Sequence, residues 1–213
     1  GGAWKAATGR RQTATNFTRL NVSPKGSARE SMMRHKGWHS RGYLPHFDTR
    51  EAVQFVTFRL GDSLPAEAIA RIEQSDRPES TRDKFLDRGW GECWLRHGHV
   101  AELVENAFLA FDSERYRMLA WTVMPNHVHV LFIPMPGEQL GRIVSSWKRF
   151  TAREANLLLG RTGAFWQPDY WDRFIRNDSH YAATVNYIDF NPVKAGLVEA
   201  PQLWPWGSAR RQV

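Results

Sequence analysis

The segment Pro125-Asn126-His127-Val128-His129-Val130-Leu131-Phe132 places two imidazoles one residue apart in an otherwise apolar run. In an extended strand side chains alternate faces, so His127 and His129 project together while Val128 and Val130 project oppositely. Two imidazoles a few ångströms apart on one face can grip a single metal ion. A bare His-x-His is weak evidence. Here the strand is apolar throughout, so two histidines on its second face need a reason to be there. His97-Gly98-His99 has the same spacing but opens a helical stretch. Positions i and i+2 of a helix diverge by about 200°, so this pair is read as loop or capping structure.

A second constellation runs from His180 to Pro192. Tyr181, Val185 and Ile188 fall at i, i+4 and i+7 and form a core stripe. Thr184, Tyr187 and Asn191 share a different face, with Tyr187 and Asn191 an i, i+4 pair. That pair is either a nucleophile beside an amide metal ligand or an amphipathic tyrosine at the rim of the core. A third constellation covers residues 142–176, where seven Lys and Arg face three Asp and Glu, with Phe165, Trp166, Tyr170 and Trp171 interleaved. Cations that track phosphates and aromatics that stack on bases suit single-stranded nucleic acid. A solvated helix face plus core aromatics is the plainer reading of the same composition.

These residues need elements to hold them. The β-branched and aromatic run 54–60 reads as a strand, and Pro65 opens a helical stretch. Further helices are expected over roughly 80–95 and 99–111. Strands 117–123 and 127–133 are joined by Met124-Pro125-Asn126, which supplies the turn of a hairpin. A helix is predicted over 137–159, ended by Gly160, and a short strand over 170–176. Its apolar side is Leu140, Ile143, Val144, Trp147 and Thr151; Arg142, Ser146, Arg149 and Arg153 line another face. Asn177-Asp178-Ser179 reads as the N-cap of a last helix, 179–190, which Pro192 is expected to stop. This order is neither a βαβ array nor all-β. It predicts an α+β domain with helices packed on an antiparallel sheet.

Composition narrows the classes. The chain has 213 residues, 42% of them hydrophobic, with ten Trp and twelve Phe, so it can bury a core and is not globally disordered. One cysteine, Cys93, excludes a disulfide framework or a cysteine-rich zinc cage, and its apolar setting between Trp90 and Trp94 is poor for a thiolate. No apolar run approaches the roughly 20 residues that span a bilayer, so no membrane association and a cytoplasmic location are expected. The formal net charge of +7 is uneven: residues 1–50 hold ten Lys and Arg against two Asp and Glu. Residues 1–35 are read as a flexible basic N-terminal extension, and 36–213 as a single domain. No phosphate-binding glycine loop, zincin helix or nucleophile elbow is present.

Taken together, Trp121-Thr122-Val123-Met124-Pro125-Asn126-His127-Val128-His129 resembles the HUH motif of single-tyrosine transposases. Tyr187-Ile188-Asp189-Phe190-Asn191-Pro192-Val193-Lys194-Ala195-Gly196-Leu197-Val198 resembles the catalytic helix of their REP-associated branch. The stretches 37–47 and 146–151 also fit that branch, so the resemblance covers roughly 36–207. It implies a ferredoxin-like α+β sandwich with the HUH strand central in the antiparallel sheet. It also implies that His127, His129 and Asn191 hold a divalent ion, Mg²⁺ or Mn²⁺, with no organic cofactor, and that Tyr187 is the nucleophile. The implied substrate is single-stranded hairpin DNA of the repetitive palindromic kind, cleaved through a 5′-phosphotyrosine. Arg41, Lys148, Arg149 and Arg173 are candidate DNA contacts, and the resemblance favours a monomer. Two alternatives accompany it: a non-cleaving hairpin DNA- or RNA-binding protein that keeps the fold, and a water-using metal nuclease.

Overall fold

Alternation of apolar side chains sets the sheet. The computed structural model describes residues 37–40, 45–48 and 52–212, all within the unit 34–213. The predicted extension 1–35, and Arg41, lie outside the described residues. The strands are β1 (Gly37–Ser40), β2 (Pro45–Asp48), β3 (Gln54–Arg59), β4 (Tyr116–Val123), β5 (His127–Pro134) and β6 (Trp171–Phe174). β1 and β2 pair as a separate antiparallel ribbon, and the other four form an antiparallel sheet in the order β4-β5-β3-β6. The architecture is α+β as expected, and β5, which carries both histidines, is an interior strand.

The helices are α1 (Ala66–Glu73), α2 (Pro78–Leu86), α3 (Gly98–Leu109), α4 (Leu140–Leu158) and α5 (Asp178–Lys194). Val56, Phe58, Val128, Val130 and Phe132 turn to one face and pack with Val104, Phe108, Ile143, Val144 and Trp147 of α3 and α4. Phe55, Ala120 and Leu131 turn to the other face, where Ile188, Tyr181 and Val185 of α5 cover them. A smaller cluster of Ala68, Ile72, Phe85 and Leu86 joins α1 to α2 and packs on Trp90 and Trp171. None of the described helices is long and apolar enough to cross a membrane.

Three local expectations are corrected. The helix over 80–95 stops at Leu86, because Gly89, Gly91 and Cys93 all adopt positive φ (68°, 82° and 52°), which no α-helix continues through. At Gly91 a Cβ would sit 2.7 Å from the Asp62 carbonyl oxygen, so only glycine fits there. The final helix runs through Pro192 to Lys194 instead of stopping before it. Proline lacks an N–H, so one intrahelical bond to Ile188 is forgone, while Ala195 N–H donates to Asn191 O at 3.0 Å and closes the last turn. Asn191 thereby keeps its helical position one turn beyond Tyr187. Finally, Phe165, Trp166 and Tyr170 are core residues, at 2%, 5% and 2% exposure, and are not stacking platforms for bases.

The predicted caps are in place. Asn177 Oδ1 accepts from His180 N–H at 2.9 Å, and Gly160 follows α4 with φ +61°. Beyond α5 the chain returns along the edge strand β4. Val123 N–H donates to Trp206 O at 2.9 Å and Trp204 Nε1 donates to Val123 O at 3.1 Å, so this edge is covered. Ser208 Oγ accepts from Trp121 N–H at 3.1 Å and donates to Asp189 Oδ1 at 3.0 Å. The sheet edge is thus tied to the helix that carries Tyr187.

Ile188, fully buried between α5 and the sheet, is the anchor of that helix. Ile188→Ala should lower unfolding stability by ~2–5 kcal/mol, read from the midpoint of a denaturant titration.

Candidate active site

β5 delivers its histidines to the face covered by α5. Cross-strand register sets Thr57 beside His129 and Arg59 beside His127. Both imidazoles are completely buried, and their Nε2 atoms lie 3.1 Å apart. The far side of each ring is occupied. Asn126 Nδ2 donates to the carbonyls of Leu86 and Trp90, both at 3.2 Å, which fixes the orientation of its amide. Its Oδ1 therefore faces His127 Nδ1 at 2.8 Å, so that nitrogen carries the proton and His127 Nε2 presents a lone pair. Thr57 Oγ1 lies 2.7 Å from His129 Nδ1. A hydroxyl can accept or donate, so Thr57 supports either tautomer of His129.

Burial drives both imidazoles well below their usual pKa. For His127 the neighbouring His129 adds to this and Asp83 opposes it; for His129, Arg82 and Lys194 add to it. Both rings are neutral at pH 7, the state in which imidazole binds metals. With metal–imidazole bonds of about 2.1 Å, two nitrogens ~3 Å apart subtend roughly a right angle at one ion.

The third predicted ligand fits the same purpose. Asn191 is 1% exposed, and neither its Oδ1 nor its Nδ2 has a hydrogen-bond partner among the described residues. Buried amides are nearly always satisfied, so an orphaned one marks a place for a ligand. No cluster of three His, Cys, Asp or Glu side chains able to hold a metal occurs among the described residues. The unpartnered Asn191 amide is thus a candidate donor alongside the two imidazoles.

Tyr187 joins them from α5. Its hydroxyl lies 3.4 Å from His129 Nε2 and donates to Asp83 Oδ2 at 2.7 Å. Its ring meets His129 and Phe55 edge-on, at 5.2 and 6.0 Å between centroids, and Phe55 in turn stacks on His129 at 5.6 Å. Lys194 Nζ sits 5.3 Å from the ring centroid on the same helix. Burial raises the phenol above its usual pKa, and the Asp83 charge and hydrogen bond raise it further. Tyr187 is thus neutral at rest.

Several residues of this neighbourhood carry no local sequence signal. Asp83 on α2 accepts Arg82 Nε at 2.8 Å, and that guanidinium lies 4.7 Å over the Trp171 ring. Arg59, 3% exposed, approaches the same ring at 5.8 Å and donates to Leu60 O and Ser63 Oγ; burial lowers it to about 10. Asp87, one turn beyond Asp83, lines a cavity of about 230 Å³ with Arg88, Arg96, Asn126 and His127.

The predicted DNA contacts separate. Arg173 stands opposite Phe55 on β6, on the face of the histidines. Arg149 is exposed on α4, in the layer across the sheet. Lys148 donates to the carbonyls of Gln167, Pro168 and Asp169 at 2.6, 2.7 and 3.1 Å, which uses all three of its protons. It braces the loop before β6. His97, of the other His-x-His, stacks on Trp94 at 6.0 Å at the start of α3 and is structural.

Asp87 is pushed up to about 6 from 3.8, chiefly by burial, then by Asp83, with Lys194 opposing. Its neutral form is favoured in the folded state, so its contribution to stability is full below pH 3.8 and lost as pH rises through 6. Asp87→Asn should therefore stabilise the protein by ~1–3 kcal/mol at pH 8 and by almost nothing below pH ~4, measured by melting across that range.

Comparison with known proteins follows these residues. Residues 96–191 match the family model described as "Transposase IS200 like". A REP-associated tyrosine transposase of Escherichia coli K12 is 28% identical over 113 residues, covering 53% of this chain and 66% of that protein. A putative REP-associated tyrosine transposase of Haemophilus influenzae is 31% identical over 108 residues, covering 46% of this chain and 61% of that one. The chain thus spans somewhat under two thirds of the length of these relatives. A solved REP-associated tyrosine transposase bound to a REP hairpin shares the fold, with a TM-score of 0.52, 21% identity, and coverage of 80% of this chain and 84% of that one. Residues 96–191 of this chain are thus similar to the IS200-like transposases, and the curated relatives it resembles are REP-associated tyrosine transposases.

Proposed function

We propose that the protein is a metal-dependent transposase that cleaves and rejoins single-stranded hairpin DNA through Tyr187. The observation that carries this reading is the Tyr187 hydroxyl 3.4 Å from His129 Nε2, which itself faces His127 Nε2 at 3.1 Å. A nucleophile and a pair of neutral imidazole donors share one buried point. His127, His129 and Asn191 would hold the ion, Mg²⁺ or Mn²⁺. When bound, a divalent ion supplies Lewis-acid stabilisation of charge developing on a phosphodiester oxygen.

The chain's own residues do the rest. Asn126 and Thr57 hold the imidazoles in place from behind, the outer-shell support that metal-binding histidines require. Phe55, Lys194 and α5 fix the Tyr187 ring, which limits the nucleophile to one approach line. Attack at phosphorus forms a 5′-phosphotyrosyl bond and frees a 3′-hydroxyl. The adduct conserves the bond energy for rejoining, so neither a nucleotide nor an organic cofactor is needed. Arg173 on the site face is the favoured DNA contact of the described cations, and Arg149 would meet only DNA that passes behind the sheet. The named relatives and the hairpin-bound neighbour support the substrate class. Residues 36–213 are proposed to act as one catalytic domain and as a monomer.

Incubation with hairpin-bearing single-stranded DNA and Mn²⁺ should give a denaturant-resistant protein–DNA adduct on a gel. Tyr187→Phe should abolish it, and His127→Ala should reduce it at least ~100-fold. Binding without cleavage would identify a binding protein, and cleavage without an adduct would identify a water-using nuclease.

A further inference from the structure

A tyrosine that attacks phosphorus must give up its hydroxyl proton. A neutral phenol attacks phosphorus poorly, and a tyrosine hydroxyl, with an ordinary pKa of about 10, carries its proton near neutral pH. Its proton must therefore leave during the attack. The Tyr187 hydroxyl has two partners among the described residues. His129 Nε2, at 3.4 Å, is on the wrong side: in the proposed function its lone pair serves the ion. Asp83 Oδ2, at 2.7 Å, is shorter and is the atom to which the hydroxyl already donates.

Resting on the reading of Tyr187 as nucleophile, we propose that Asp83 is the catalytic residue that takes the Tyr187 proton. The geometry is built for it. Asp83 presents Oδ2 to the hydroxyl while its other oxygen, Oδ1, accepts both Nε and Nη2 of Arg82 at 2.8 Å. Arg82 is itself buried, with its guanidinium over Trp171, so the carboxylate cannot swing away without breaking a buried ion pair. Asp87 follows one helical turn later, beside the cavity at His127, but makes no hydrogen bond to Tyr187 among the described residues.

The oxygen lone pair of Tyr187 forms the new P–O bond as its O–H bond breaks, and the proton passes to Asp83 Oδ2. The P–O3′ bond breaks, its electron pair leaves with the 3′-oxygen, and that oxygen takes a proton from water. Asp83 returns its proton to solvent, and on rejoining the same groups run in reverse.

The test is the single-turnover rate of adduct formation on hairpin-bearing single-stranded DNA with Mn²⁺. It compares the wild-type chain, Asp83→Asn, Tyr187→Phe, and both the wild-type and Asp83→Asn chains carrying a fluorinated, more acidic tyrosine at position 187. Asp83→Asn should slow the adduct at least ~100-fold while DNA affinity stays within ~2-fold. A more acidic phenol needs a base less, so fluorination should restore the Asp83→Asn chain at least ~10-fold and change the wild-type chain by less than ~3-fold. A rate for Asp83→Asn within ~3-fold of wild type, or a loss that fluorination does not restore, overturns the proposal. If Asp83→Asn does not fold, Asp83→Glu and Asp83→Gln are compared. The Glu chain should be at least ~30-fold faster, and equal rates overturn the proposal. An adduct lost in Tyr187→Phe but unchanged in Asp83→Asn sinks the role of Asp83 alone. No adduct from the wild-type chain sinks the functional reading and this proposal with it.

Discussion

Two imidazoles buried side by side on an interior strand are the constraint around which the rest of the structure is arranged. Each ring is fully enclosed, with its Nε2 3.1 Å from the other. Buried like charges this close cannot both exist, and burial alone already disfavours protonation. The pair is therefore held neutral, with the two Nε2 atoms converging. Such an arrangement is costly unless the outer nitrogens are satisfied, and Asn126 and Thr57 satisfy them. Asn126 is in turn pinned by the carbonyls of Leu86, the last residue of α2, and of Trp90 in the loop after it, which links the histidines to the helix that also carries Asp83.

The sheet makes this possible by dividing its labour between two faces. One face buries a large cluster of aromatic and β-branched side chains against α3 and α4, including the edge-on contacts of Trp147 with Phe108, Tyr116 and Phe132. The hydrophobic stabilisation of that layer is large enough to tolerate polar groups on the other. On the second face the apolar cluster is small, and α5 rests on it through Ile188. Helix α5 is accordingly fixed by additional means: the Asn177 cap, the Ser208–Asp189 bond to the returning C-terminal segment, and the Tyr187–Asp83 bond across to α2. The proline in its last turn costs a hydrogen bond and leaves Asn191 in helical register.

What sequence reading recovered and what it missed follow from the range of the interactions. The His-x-His strand, the hairpin, the core stripe of α5 and the Asn177 cap are local patterns of fixed period, and each is in place. Asp83 is separated from Tyr187 by 104 residues, on a helix with no periodic link to α5, so nothing local marks it. The segment around 165–171 misled because aromatics mixed with cations look alike whether buried or exposed. Burial of Phe165, Trp166 and Tyr170, and the bonding of Lys148 to three carbonyls, are tertiary facts. The end of α5 misled for a related reason: proline forbids its own N–H bond, yet a helix can continue one turn beyond it when the following N–H groups find partners.

The two imidazoles and the orphaned amide of Asn191 are proposed to form one metal site within reach of the Tyr187 hydroxyl. Crystals grown with Mn²⁺ and measured for anomalous scattering test it most directly. A single anomalous peak is expected within bonding distance of His127 Nε2, His129 Nε2 and Asn191 Oδ1. No peak there, or a peak held by Asp83 and Asp87 instead, would contradict it.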